Sequence, residues 1–209
     1  MTVEWQTIPP VIVGVVTVLL MWLDWVLTTQ QEREMVSHYA EHYQSYPLNT
    51  VEGNPLLQES VKRVRVVDPR HIAVAIVLGV AVGYVSTILE GVVRELFIGY
   101  VWGLFLIVGT THLSNLIGHR ASRRGLHGKL YLHQRTALLV QMGRYAATSV
   151  FLVLLALASG SVFVAGVALA GVTSSLRQLL WLRRVPPIPQ EDLPPGEPPN
   201  RVLGPSSSR

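Results

Sequence analysis

The sequence predicts an all-α polytopic membrane protein, a bundle of five transmembrane helices. Of its 209 residues, 49% are hydrophobic and only 14% are charged, which is unusual for a soluble domain. The apolar residues form blocks of about 20 residues, the length that an α-helix needs to cross a bilayer core. Lys and Arg concentrate in every second connection between these blocks. The chain has no cysteine, which excludes disulfides and cysteine-ligated metals.

The five apolar blocks predict spans at about residues 11–29, 72–90, 97–117, 136–158 and 162–182. The first block is predicted to be a retained span, because no Lys or Arg precedes it and no small-residue cleavage site follows it. A single helix over 145–176 would be roughly 48 Å long, which exceeds a bilayer core of about 30 Å. Ser159-Gly160-Ser161 therefore predicts a tight turn between the last two spans.

The distribution of basic residues predicts an N-terminus outside and a C-terminus in the cytosol. The segments after the first, third and fifth spans are basic, whereas the connection after the second has only Arg94 and the turn after the fourth has none. Residues 1–185 are predicted to form the bundle, with a cytosolic segment at 30–70. Its part 30–46 lacks Gly and Pro, and we expect it to continue the first helix. The tail 186–209 holds eight of the thirteen prolines, which indicates an extended, disordered or partner-bound segment.

Ionisable side chains inside otherwise apolar spans indicate a functional site, because lipid makes each of them costly. Asp24, His112 and Arg144 fall in one layer, roughly 7–12 Å from the cytosolic ends of their spans. Thr28 and Asn115 lie one turn after Asp24 and His112, a spacing that brings side chains together. We expect a polar intramembrane cluster in which the Asp24 carboxylate accepts from Arg144. The alternatives are a purely structural ion pair, or an Arg144 that reaches the headgroups alone.

A second feature is the predicted turn at residues 52–55, where Glu52 and Asn54 offer a carboxylate and an amide on the cytosolic side as a cap over the polar layer. Asp-x-x-x-Thr at Asp24 and Thr28, followed by Glu-x-Asn-Pro-Leu at 52–56, resembles a group of small uncharacterised bacterial and archaeal polytopic membrane proteins. The resemblance covers about residues 1–90. The chain departs from that group in a long insertion and three further spans. The resemblance implies that Asp24 and Glu52 cooperate, and it implies no activity.

Two sets of candidate metal ligands follow. Asp24, Glu52 and His112 suit a divalent cation. His38 and His42 would share one face of a helix and are a second possible pair, although the neighbouring tyrosines favour an interfacial helix.

Two further patterns concern packing. Glu90 and Arg94 are four residues apart, which predicts an interfacial ion pair. The motifs Gly-x-x-x-Gly at 79–83 and 99–103 predict close helix packing, within the chain or between protomers.

The predicted partner is the lipid bilayer of a prokaryotic inner membrane, and no nucleic acid is expected. Anionic lipid is a candidate partner of the third basic loop, and proteins are candidates for the 186–209 tail. The lipid-binding candidates are Arg120, Arg123, Arg124 and Lys129.

The leading function hypothesis is a protein that handles a proton or a divalent cation at the polar layer. The alternatives are a non-catalytic subunit or scaffold of a larger complex, and a metal-dependent enzyme acting on a lipid.

Overall fold

A computed structural model describes residues 7–39, 43–45, 57–125, 130–132 and 134–185, with only the backbone of 38, 39, 43–45, 122–125, 130–132 and 134. This part of the chain forms the helices α1 (Pro10–Glu34), α2 (Gln58–Lys62), α3 (Pro69–Ile88), α4 (Gly91–Gly125), α5 (Gln134–Ser159) and α6 (Val162–Leu182). A π-helical turn, Met35–Tyr39, follows α1 directly. Two three-residue strands, β1 (Tyr43–Ser45) and β2 (Leu130–Leu132), pair in parallel.

Five helices of the described chain, all except α2, are long and apolar enough to cross a membrane. This confirms the predicted class, a helical membrane protein with five spans. The two short strands are an addition that the sequence did not predict. The helix α4 has 35 residues and is therefore roughly 52 Å long, so it extends well beyond a bilayer core of about 30 Å. The prediction that 30–46 continues the first helix holds as far as Tyr39, although the last turn is π-helical.

The helix ends follow from local chemistry. Proline occupies the first turn of α1 and of α3, where its missing N–H is not needed. The side chain of Asp68 caps α3 by accepting from two backbone N–H groups of the first turn. The predicted break between α5 and α6 is confirmed: Gly160 has a φ of +66°, and the Ser161 hydroxyl caps α6.

The five long helices pack in the order α3, α1, α4, α6, α5, with the most extensive contacts between neighbours in that order. We call the end at which α1, α4 and α6 finish, and α3 and α5 begin, the lower end of the bundle. The strands β1 and β2 follow α1 and α4, so their pairing lies at the lower end as well. Connections after the first and third spans therefore meet on one side, as the charge pattern predicts.

The central helix α4 takes part in both hydrophobic cores. The first core joins α1, α3 and α4, and the second joins α4, α5 and α6. Outside these cores, large apolar side chains are exposed on every long helix; Val77 of α3 and Leu157 of α5 are 69% and 76% exposed. Such surfaces are stable against lipid and not against water, which fits an integral membrane protein. The buried core residues are Val13, Val82, Ile98 and Trp102 in the first, and Ile107, Tyr145, Val167 and Ala170 in the second.

Candidate functional site

The candidate site lies where α1 and α4 run side by side in the same direction. Within it, Nε2 of His112 is 3.7 Å from Oδ1 of Asp24, a distance within reach of an ion pair. Both side chains are mostly buried, with 17% of His112 and 28% of Asp24 exposed. The predicted convergence of these two residues is therefore present. Higher in the same interface, Trp102 donates its indole N–H to the Thr17 hydroxyl at 3.1 Å, which fixes the register of the two helices.

The second nitrogen of the imidazole is also engaged, by a residue that the sequence reading did not single out. Nδ1 of His112 lies 2.8 Å from Oε1 of the buried Gln31. This contact orients the ring, while the tautomer of the imidazole decides whether Nδ1 donates or accepts. Nε2 faces the Asp24 carboxylate, and a hydrogen on Nε2 would stand between the imidazole and a negative charge.

The expected hydrogen bond from Arg144 to Asp24 is replaced by another contact. Arg144 is exposed on α5, and its Nη1 donates to Oδ1 of Asn115 at 3.1 Å. The reason is the order of the helices, because α5 packs on α6 and not on α1. The predicted polar layer is thus present as two parts, Asp24 with His112 and Asn115 with Arg144. Thr28 is buried, and its hydroxyl donates to the backbone oxygen of Asp24 at 2.8 Å, so it satisfies the helix and not the carboxylate.

A second polar layer lies below the first and was missed by the sequence reading. Glu32 and Glu34 are buried at the end of α1, with 1% and 8% exposure. Arg120 of α4 reaches Oε1 of Glu34 at 3.3 Å, and its own side chain is 56% exposed. The half-buried His119 lies seven residues after His112, two turns further along α4. The spacing from Asp24 to Gln31 is also seven residues, and this pattern would have revealed the continuing polar face of α1.

On its other side, α1 is fixed to the start of α3. The Trp25 ring stacks on the buried His71 with centroids 4.5 Å apart, and its N–H donates to the backbone oxygen of Val66 at 3.0 Å. Asp68 lies outside the predicted membrane region and stabilises the start of α3, because its side chain caps that helix. The pKa of its carboxyl lies below the usual value, first because the Ser60 hydroxyl donates to it, and further because backbone N–H groups do; burial opposes both effects.

The ion pair predicted between Glu90 and Arg94 is not formed. Glu90 is exposed, whereas the buried Arg94 donates to the backbone oxygens of Ser86, at 2.9 Å, and Ile8. The guanidinium thereby satisfies carbonyls that the end of α3 leaves open, and it joins α3, α4 and the segment before α1. The next residue, Glu95, accepts from the backbone N–H of Phe163 at 3.0 Å and so caps α6.

A metal site has no support in the described part of the chain, where no three His, Asp or Glu side chains lie close enough to hold an ion. Of the predicted ligands, Asp24 and His112 do meet. Glu52 and His42 lie outside the described residues, as do Asn54 and Lys129. Only the backbone is described for His38 and for the lipid-binding candidates Arg123 and Arg124.

No family model matches the chain, and neither a curated protein nor a solved structure matches it. The protein class therefore follows from the structure alone. Its five long apolar helices and their exposed apolar surfaces define a small integral membrane protein. The Asp24–His112 pair is its most distinctive interior feature.

Proposed function

We propose that this integral membrane protein binds and releases a proton at the Asp24–His112 pair, facing the cytosol, and moves it through the membrane. One observation carries the proposal: a buried imidazole is held between Gln31 on Nδ1 and the Asp24 carboxylate near Nε2. Gln31 orients the ring, and Asp24 supplies the negative charge that stabilises an added proton.

The cost of placing these groups in lipid supports a functional role. An ionisable group inside a span is expensive, and such groups usually mark ion or proton pathways. The pair also lies at the interface of two parallel helices, away from the lipid-facing surfaces, where a change of charge can alter helix packing. The cytosolic orientation rests on the basic loops, which lie at the lower end of the bundle close to the second polar layer.

A proton needs no ligand cage, and this separates it from the divalent cation that the sequence also suggested. The described residues supply one carboxylate and one imidazole at the site, whereas a divalent ion is usually held by more ligands. The third predicted ligand, Glu52, lies outside the described residues. We propose proton handling because the pair that the structure does describe suffices for it.

The direct test is proton binding in the purified protein, reconstituted in lipid. Infrared difference spectra between about pH 3 and about pH 9 cover the ordinary titration midpoints of carboxyls and imidazoles. We expect protonation bands of the imidazole in the wild type, with a shift of the Asp24 carboxylate band as its partner gains charge. Asp24→Asn should remove the carboxylate band and change the titration of the His112 ring. The proposal fails if His112 keeps one charge state over this range.

Movement of the proton is tested separately in liposomes with a pH gradient and a trapped pH dye. Asp24→Asn should reduce the protein-dependent flux by at least about tenfold, because the acid–base group is lost. Glu90→Gln is the matched control: it removes an exposed carboxylate at the upper end of the bundle and should leave the flux unchanged. Equal losses in both variants would contradict a specific role for Asp24.

A further inference from the structure

A cavity of about 460 Å³ opens at the upper end of the bundle, where α1 begins and the chain passes from α3 to α4. Among the described residues that line it, Arg94 is the one cation and Glu90 the one carboxylate. The guanidinium of Arg94 is held in the wall by its bonds to the backbone oxygens of Ser86 and Ile8, whereas Glu90 is exposed. Two opposite charges therefore border the same space without forming an ion pair with each other.

An apolar groove of about 420 Å³ continues from this cavity along α1 and α3. The two spaces share Pro10 and Thr87, so they meet at the upper ends of both helices. From there the groove reaches Val18 on α1 and Ile76 on α3. At about 1.5 Å per residue these lengths are roughly 12 Å and 17 Å, close to half of a bilayer core of about 30 Å. The groove thus has the depth of one leaflet.

Glycine creates this groove, because it lets the backbones of α1 and α3 meet along its floor. A Cβ added at Gly14 would lie 2.8 Å from the backbone oxygen of Gly79, and one added at Gly79 would lie 2.9 Å from that of Gly14. The predicted Gly-x-x-x-Gly motif at 79–83 therefore serves packing within the chain. Larger side chains on both sides form the walls and stay exposed, such as Val11 and Val80.

The two charges and the groove together match the parts of a zwitterionic phospholipid. The phosphate carries a negative charge, which arginine binds through its planar fork of N–H donors. A primary ammonium carries a positive charge together with N–H donors, which a carboxylate accepts. The apolar groove, which opens at the same place, fits an acyl chain. Both spaces also have the size of typical ligand sites, about 300–1,000 Å³.

We propose that this surface binds one molecule of phosphatidylethanolamine, the zwitterionic phospholipid that has a primary ammonium. The phosphate contacts Arg94, the ammonium contacts Glu90, and one acyl chain lies in the α1–α3 groove. Phosphatidylcholine has the same charges but no N–H to donate, and phosphatidylglycerol has no cation for the carboxylate, so the site selects against both. Lipid binding here is independent of the proposed proton binding, because the Asp24–His112 pair lies toward the other end of α1.

Native mass spectrometry of the full-length protein counts the lipids that remain bound after extraction from a bilayer. The bilayer would contain equal parts of phosphatidylethanolamine, phosphatidylcholine and phosphatidylglycerol. We expect one phosphatidylethanolamine per chain, retained about tenfold or more over each of the other two lipids. This is the factor that one charge-assisted hydrogen bond supplies.

Val80→Trp tests the groove, and Val77→Trp is its matched control on the same helix. The two valines are similarly exposed, at 67% and 69%, but of the two only Val80 lines the groove. The indole at position 80 would occupy the space of the acyl chain, so the bound lipid should be lost. At position 77 it should be retained. Both positions lie on the surface, and equal helical circular dichroism would show that both variants fold.

Glu90→Gln tests the headgroup contact and leaves the groove intact. This variant should still retain one lipid, but the preference for phosphatidylethanolamine over phosphatidylcholine should disappear. Phosphatidylglycerol should bind better than in the wild type, because Arg94 is then the remaining charge among the described residues of the cavity wall. Glu59→Gln removes an exposed carboxylate of α2, outside the cavity, and should keep the wild-type preference.

Three results would overturn this proposal. Equal retention of the three lipids by the wild type would mean that lipid covers this surface without recognition of its headgroup. Equal loss in Val80→Trp and Val77→Trp would place the bound lipid outside the groove. A dimer that carries no lipid and is broken by Val80→Trp would mean that a second copy of the chain occupies the groove.

Discussion

The substitution Gly103→Ala tests the glycine-mediated contact that holds α4 against α6. The added Cβ would lie 2.8 Å from Cα of Val167 and 3.0 Å from Cβ of Ala170. Carbon atoms pack best at about 3.5–4.0 Å, so the helices must separate locally by roughly 0.5–1 Å. Overpacking of this kind costs about 1–3 kcal/mol. The alanine itself favours the helix by up to about 1 kcal/mol, which offsets part of the loss.

Gly118→Ala is the matched control on the same helix, since a Cβ there would meet no atom within 4 Å. It gains the same helix preference without a clash. The difference in unfolding free energy between the two variants should therefore be about 1–3 kcal/mol, with Gly103→Ala the less stable. Reversible denaturation by SDS in mixed micelles, followed by helical circular dichroism, measures both. If the two variants agree within about 0.5 kcal/mol, α4 and α6 do not approach as closely as described.

Two further predictions concern single hydrogen bonds. Trp102→Phe removes the donor to the Thr17 hydroxyl and should lower the unfolding free energy by about 0.5–1.5 kcal/mol. If Trp102→Phe causes an equal loss in a Thr17→Val background, the two side chains are not coupled. Asp68→Ala removes the cap of α3 and should destabilise by about 0.5–2 kcal/mol at neutral pH. Because the folded pKa of Asp68 is depressed, its stabilisation is present above the unfolded pKa of about 3.9 and is lost as the pH falls through the folded value. The stability difference between wild type and Asp68→Ala should thus shrink in acid, and a difference that stays constant would contradict the ionic part of the cap.

The five spans and the break at Gly160 were predictable because lipid imposes length and composition on each helix separately. The shared layer of Asp24 and His112 was predictable from depth, since both lie at similar distances from the ends of their spans. The partner of Arg144 was not, because it depends on which helices are neighbours. The sequence does not state that α6 lies between α4 and α5. Depth gives the layer of a residue, and only the packing order gives its contacts.

The second polar layer shows another limit. Glu32 and Glu34 belong to a segment whose composition reads as cytosolic, where carboxylates are ordinarily solvated. They are buried because α1 and α4 both continue past their apolar spans and remain in contact. The sequence does contain a sign of this burial, because Asp24 and Gln31 are seven residues apart, as are His112 and His119. Such polar spacings on two helices indicate a shared interface only when it is known that the two helices pack in parallel.

The contrast between the interfaces explains why a polar one is retained in this bundle. Where they approach most closely, the α1–α3 and α4–α6 pairs are joined by glycine and apolar side chains. Such contacts are cheaper in lipid than buried ionisable groups, and they do not respond to pH. A third interface with an aspartate, a histidine and two glutamates is therefore poorly explained by stability. It fits the proton binding that we propose at the Asp24–His112 pair, because neither glycine nor leucine can hold a proton.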